Sequence, residues 1–207
     1  MATEIELRAH VTEAQAKTLK DELGKAADAV VQSRCFIDYS TFIEGIGERR
    51  LDVRVRVTNG SPEFVVKRGQ FGGAKREEAI ARILPEDLSG ALSVMALLGY
   101  EKGVAGGRRI HRGTVGEVEI AVQEVLDFKN PTQAADCFVE VEYVGKLHDD
   151  KKAEETLREF LKKRGIKAFL PEEWNEYVAM LNKKWNGVYV HGETPVEVIR
   201  LLGAKNS

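Results

Sequence analysis

Alternation at period two dominates the first two thirds of the chain. Glu4-Ile5-Glu6-Leu7-Arg8 puts two acids and a base on one face of a strand and two aliphatics on the other, because successive side chains of a strand point to opposite sides. Val53-Arg54-Val55-Arg56, Phe64-Val65-Val66-Lys67 and Val139-Glu140-Val141-Glu142 repeat the pattern. These polar faces carry acids and arginines rather than the usual mixture. The pattern predicts strands over residues 3–10, 34–43, 49–58, 62–69, 74–83, 107–114, 117–126 and 137–144. Asn59-Gly60, between two alternating runs, is a hairpin signal. Residues 69–73 and 127–136 read as loops, and Gly103 to Gly107 as a plain turn.

Helical periodicity fills the gaps. Thr12 reads as an N-cap for a helix running to about Ser33, with Ala16, Leu19, Leu23, Ala27 and Val30 on one face. Pro85 opens a second helix that Gly99 closes. Beyond residue 144 the character changes to helices over 149–164, 171–181 and 194–202. Trp174, Tyr177 and Leu181 repeat at helical spacing and read as a packing stripe.

Eight strands joined mostly by short turns imply antiparallel pairing. Eight is also the number at which a sheet closes into a small barrel with room for side chains or one ligand. The fold class expected is therefore α+β, a closed antiparallel barrel flanked by helices, in one domain over residues 1–207. Which face points inward stays open. With the aliphatic face inside, the charges are ordinary surface. With the charged face inside, many ions must be paired and solvated, and such an interior implies a purpose.

Composition narrows the class of partner. The chain has 31 basic and 33 acidic residues and a net charge of -2, which argues against bulk electrostatic binding to duplex nucleic acid or an anionic membrane. No apolar run is long enough for a transmembrane helix. The charged, patterned start predicts no signal peptide. Cys35 and Cys137 form no CxxC motif, so a reducing cytoplasm is the expected compartment.

The charged faces bring together bases at Arg8, Arg54, Arg56, Lys67, Arg76, Arg82 and Arg109 and acids at Glu4, Glu6, Glu78, Glu119, Glu140 and Glu142. Arginine offers a planar fork that suits phosphate oxygens. Each Glu-x-Glu places two oxygen donors about 7 Å apart along one strand. Two such pairs facing each other can hold a hard cation, Mg²⁺ or Mn²⁺, against phosphate oxygens. Polyphosphate chemistry needs that combination.

In order along the chain, these motifs resemble the CYTH superfamily of triphosphate tunnel metalloenzymes. The opening Glu-x-Glu-x-Lys hallmark is Glu4-Ile5-Glu6-Leu7-Arg8, followed by Arg54-Val55-Arg56, Phe64-Val65-Val66-Lys67-Arg68-Gly69, Arg76-Glu77-Glu78, Arg108-Arg109 and Phe138-Val139-Glu140-Val141-Glu142. The match covers about residues 3–144. The resemblance implies an eight-stranded tunnel with the charges inside, and residues 145–207 form a helical C-terminal part. It implies that Arg8, Arg54, Arg56, Lys67, Arg76 and Arg109 grip a triphosphate. It implies that Glu4, Glu6, Glu140 and Glu142 hold the metal, and that Lys67 and Tyr39 are the catalytic candidates.

Two positions depart from the family pattern. Arg8 stands where a lysine is usual and cannot donate its proton at neutral pH. Gln123 stands at the usual place of an aspartate ligand, and an amide is a poorer partner for a hard cation. Glu119 shares its face and is the candidate substitute. The implied activity is metal-dependent hydrolysis of tripolyphosphate, thiamine triphosphate or a nucleoside triphosphate. The alternatives are a class IV adenylyl cyclase and a non-catalytic module that binds polyphosphate or nucleotides, which Gln123 favours. The partner expected is a small triphosphate, with homo-oligomerisation left open.

Overall fold

In the computed structural model the described residues are 2–43, 50–145 and 149–204, without the side chains of 2–4, 43, 201 and 202. The elements run β1 (Ala2–His10), α1 (Glu13–Leu23), β2 (Val30–Asp38), α2 (Ser40–Ile43), β3 (Leu51–Thr58), β4 (Ser61–Arg68), β5 (Lys75–Arg82), α3 (Leu88–Leu97), β6 (Lys102–Val115), β7 (Val118–Asp127), β8 (Asn130–Tyr143), α4 (Asp150–Lys162), α5 (Pro171–Lys184), β9 (Gly187–Val190) and α6 (Val196–Gly203). The sheet order is β2-β3-β4-β5-β1-β8-β7-β6, and a β2–β6 pairing closes the ring. Every pairing is antiparallel. Short β9 pairs with the first residues of β6, where β7 does not reach. Asn59 (φ 50°) and Gly60 (φ 82°) make the tight β3–β4 turn, because both central positions of such a turn need positive φ.

The helices cover the aliphatic faces of the strands. Leu7, Val122, Val139 and Val141 pack with Leu19 and Leu23 of α1 and with Leu157 and Leu161 of α4. Ile37, Val53, Val55 and Val57 pack with Leu88, Leu92 and Met95 of α3 and with Ile199 of α6. Alternate positions, which carry the charges, therefore turn the other way. A third cluster joins Phe71, Val125 and Phe138 to Trp174, Tyr177 and Leu181 of α5. The Phe169 amide donates to the Arg8 carbonyl at 2.8 Å and the Phe128 amide to the Trp185 carbonyl at 2.8 Å, so both ends of α5 are tied to the barrel. Among the described residues no helix is long and apolar enough to cross a membrane.

Four local expectations change. The strand expected over 34–43 ends at Asp38, and Ser40–Ile43 is the helical turn α2. The first helix ends at Leu23, not near Ser33, and Val30 and Val31 belong to β2. Ala27 and Val30 fit a helical stripe by spacing, but pairing of β2 with β6 from Val30 onward overrides it. Gly103 to Gly107 is strand, not turn. A β-carbon at Gly106 would sit 2.5 Å from the Asn186 Oδ1 and 2.7 Å from the Phe36 ring, so the glycine permits a close approach rather than a reversal. The loop expected over 127–136 is mostly β8, which starts at Asn130 with a register shift near Leu126.

Leu157 is fully buried between α4 and the barrel. Leu157→Ala should lower the unfolding free energy by about 2–5 kcal/mol, read from urea unfolding. A loss well under that range would show that α4 does not share the barrel core.

Candidate functional site

A cavity of about 90 Å³ opens among the charged faces, lined by six arginines: Arg8, Arg34, Arg54, Arg56, Arg76 and Arg108. Its volume is room for roughly six waters or one compact anion. Trp174, Leu181 and Asn182 of α5 wall one side with Phe36, Phe71 and Phe138. The aromatic rings also position the cations. The Arg8 guanidinium lies 5.0 Å over Trp174, Arg76 5.7 Å over Phe71, and Arg108 4.9 Å over Phe36.

Four of the arginines are neutralised internally. Arg54 grips Asp52 through two bonds of 2.8 and 2.7 Å, and Arg76 reaches the same carboxylate at 2.7 Å. Arg8 donates to Glu140 at 3.0 Å and also to Glu6. Arg56 pairs with Glu63 and stands 3.9 Å from Glu78. Arg34 and Arg108 differ. Among the described residues neither has a carboxylate within ion-pair distance. The Arg34 Nε donates to Thr58 at 3.0 Å, and Arg108 donates to the Gly107 carbonyl at 2.6 Å and to Asn186 at 3.3 Å. Burial, with Arg56 adding to it, pushes the Arg34 guanidinium down to about 10. Burial, with Arg54 adding, does the same to Arg108. Uncompensated cations at such sites are costly.

Acids collect beside this arginine cluster. Glu6 is opposite Glu142 across β1 and β8, and Glu142 is opposite Glu119 across β8 and β7. Three carboxylates thus form one row over adjacent strands, an arrangement that like charges disfavour. Burial, then Glu119 and Glu6, push the Glu142 carboxyl up to about 7. Burial alone would raise Glu6 too, but Arg8, Lys67 and Arg76 outweigh it and hold it at about 2. Arg112 reaches Glu119 at 2.6 Å. A cation would offset the crowding. The row is not drawn together, since among the described residues no three acidic, histidine or cysteine side chains converge enough to hold a metal ion.

Arg8, Arg54, Arg56 and Arg76 line the cavity. Lys67 lies 3.7 Å from Glu6 and 3.3 Å from Glu78. Glu140 lines the cavity and accepts from Arg8 and from the Gln123 amide. Glu4 occupies the β1 position opposite Arg76; its side chain lies outside the described residues.

Three assignments need correction. Arg109 lies on the helix side, 3.1 Å from Glu124, which also takes Lys20 of α1 at 2.7 Å. Arg108 takes its place, because neighbouring residues of a strand face opposite ways. His111, sharing the Arg109 face, stands 3.6 Å from the same Glu124. Tyr39 is fully buried among aromatic rings, with Tyr100 at 5.8 Å and Tyr189 at 6.1 Å, and it does not line the cavity. Burial holds its phenol well above the usual range. Tyr39 shares the face of Cys35 and Ile37, which packs under α3. Arg82 is exposed.

Sequence reasoning missed Arg34, Asp38, Asp52 and the α5 wall. Arg34-x-Phe36-x-Asp38 and Asp52-x-Arg54 continue the same period-two code, so the signal for the first three was present. Nothing in the stripe of Trp174, Tyr177 and Leu181 says which surface it packs on.

No family model and no curated protein matches the chain. Solved structures do match. The PH1819 protein from Pyrococcus horikoshii has a TM-score of 0.63 at 20% identity, covering 86% of this chain and 98% of that one. A provisionally assigned adenylate cyclase from Bacillus halodurans has a TM-score of 0.54 at 17% identity, covering 82% and 95%. A chain of the Schizosaccharomyces pombe Mediator head module has a TM-score of 0.50 at 10% identity, covering 78% and 94%. At these identities the likeness is one of fold. The closed eight-stranded antiparallel barrel is the architecture that the resemblance to the CYTH superfamily implies.

The cluster on the helix side yields a pH test. His111, then Lys20, hold the Glu124 carboxyl at about 2 against the effect of burial. A carboxyl lowered on folding stabilises the protein above its ordinary value of 4.5, and that contribution fades as pH falls from there toward about 2. Glu124→Gln should therefore lose stability less steeply over that window than the native chain, followed by urea midpoints. Parallel curves would remove Glu124 from the acid response.

Proposed function

We propose that the chain binds a small triphosphate among its arginines and hydrolyses it with a divalent cation. One juxtaposition carries this reading: half-buried Arg34 and buried Arg108, with no carboxylate within ion-pair distance among the described residues, beside the row Glu6–Glu142–Glu119. The first feature suits phosphate oxygens and the second suits Mg²⁺ or Mn²⁺. The CYTH resemblance points the same way.

In this reading Arg34 and Arg108 take the phosphate oxygens directly, because among the described residues their hydrogen bonds go only to neutral groups. Arg54, Arg56 and Arg76 keep their internal partners and supply positive field. Lys67, between Glu6 and Glu78, is placed to pass from carboxylate to phosphate as the substrate enters. Glu142, Glu119 and Glu6 would hold the cation, which supplies charge neutralisation during phosphoryl transfer. The α5 wall excludes bulk water from one side, which strengthens each of these interactions. Water then replaces the leaving diphosphate on phosphorus, and one P–O bond forms as another breaks.

A binding module without turnover is the second reading. Glu6 and Glu140 are already engaged by Arg8, Lys67 and Gln123, which leaves fewer free ligands for a metal. Incubation with tripolyphosphate, thiamine triphosphate and ATP in Mg²⁺ or Mn²⁺ separates the readings. Released phosphate, reduced at least tenfold in Glu142→Gln, is expected. Cyclic AMP with diphosphate would instead indicate a cyclase, and tight binding without product a module. Arg108→Ala should weaken tripolyphosphate binding by about 1.5–3 kcal/mol, the scale of a charged hydrogen bond. An unchanged dissociation constant would displace the anion from this cavity.

A further inference from the structure

Arg108 is only 5% exposed, yet most of its guanidinium has no protein partner. Both of its hydrogen bonds leave from Nη1, to the Gly107 carbonyl at 2.6 Å and to the Asn186 Oδ1 at 3.3 Å. Among the described residues its Nε and Nη2 donate to nothing. The side chain lies over the Phe36 ring and lines the cavity. Arginine is a donor at every nitrogen, so this one brings unused donors to the edge of that space.

The residue that holds it is an amide on pinned backbone. Asn186 sits between α5 and β9. Its backbone amide donates to the Leu181 carbonyl at 3.0 Å, the Trp185 carbonyl accepts from Phe128, and Gly187 pairs with Ala105 of β6. Its side chain passes over Gly106, where a β-carbon would come within 2.5 Å of Oδ1. Its Nδ2 donates to the Asn182 Oδ1 at 2.8 Å. Arginine can only donate, so the amide is locked with its oxygen toward Arg108. Arg8, Arg54, Arg56 and Arg76 each face a carboxylate instead. An aspartate at position 186 would have almost the same shape and would neutralise Arg108 as those acids neutralise their partners. The amide holds the guanidinium and leaves its charge uncancelled.

We infer, on the reading that this cavity binds phosphate, that Asn186 is a positioning residue which fixes Arg108 at the cavity wall while reserving its positive charge for the ligand. Neutrality at position 186 thereby makes the α5 end of the cavity selective for a multiply charged oxyanion. A buried arginine without a counter-ion destabilises the empty protein. Phosphate oxygens that take Nε and Nη2 offset that penalty and add the planar, charge-assisted bonding that a guanidinium offers. Stability given up in the empty state for binding is the pattern of a functional position rather than of a packing one.

Calorimetric titration of tripolyphosphate, beside thermal melts of the ligand-free protein, tests this in the native chain, Asn186→Asp and Asn186→Ala. Asn186→Asp gives Arg108 an ion pair, and Asn182 accommodates it by turning its own amide to donate. It should raise the melting temperature and weaken tripolyphosphate binding by at least about tenfold, the scale of one charge-assisted hydrogen bond. Asn186→Ala leaves the charge but frees the guanidinium, so it should lose less affinity than Asn186→Asp and gain no stability. An asparagine with a merely structural role would move affinity and stability in the same direction in both variants. Native affinity in Asn186→Asp would overturn the inference, as would an Asn186→Asp chain that melts below the native one and binds no more weakly than Asn186→Ala. A native chain that binds no tripolyphosphate would remove the anion site and this inference with it. Native binding that Asn186→Asp leaves unchanged would remove the inference alone.

Discussion

Closing eight strands into a ring forces one face of every strand away from bulk water. In this chain that face carries the ions, and the structure depends on how they neutralise one another. Arg8 is the hinge of that balance. It bridges Glu6 on its own strand to Glu140 on the next, and its guanidinium rests on Trp174 of α5. Asp52 does the same on the far side, shared by Arg54 and Arg76. The pairs let the barrel close. They also define, by exclusion, the groups that remain under electrostatic stress: Arg34, Arg108 and Glu142.

The stress has opposite sign in neighbouring places, which is what a phosphate–metal complex needs. In the proposed reading Arg34 and Arg108 take the anion, and Glu142, Glu119 and Glu6 the cation. Neither need is met by refolding a side chain, because strand register fixes Glu142 between Glu6 and Glu119. The fold alone does not decide the use made of it. The same barrel occurs in a Mediator head module chain and in a provisionally assigned adenylate cyclase. Function lives in the side chains of the site.

Much of this was legible from alternation. Ile5, Leu7, Val139 and Val141 announce one face, and Glu6, Arg8, Glu140 and Glu142 the other, so the strands and most cavity residues follow from a period of two. Where two arginines are adjacent the code fails. Arg108 and Arg109 can each be the inward one, and only the pairing of β6 with β2 and β7 decides. Tyr39 was misplaced for a related reason: motif analogy overrode its own parity with Ile37. The α5 wall was illegible, since a helical stripe specifies an apolar surface but not its address. Strand β9 was also missed, since four residues are too few to show a period.

On the proposed function, anion and cation bind this barrel cooperatively, at the arginine pair and the carboxylate row. Calorimetric titration of tripolyphosphate into the native chain, with and without Mn²⁺, measures that coupling directly. Tighter binding in Mn²⁺ is expected, with the enhancement lost in Glu142→Gln while metal-free binding persists. Equal affinity with and without Mn²⁺, or no binding in either, would contradict it.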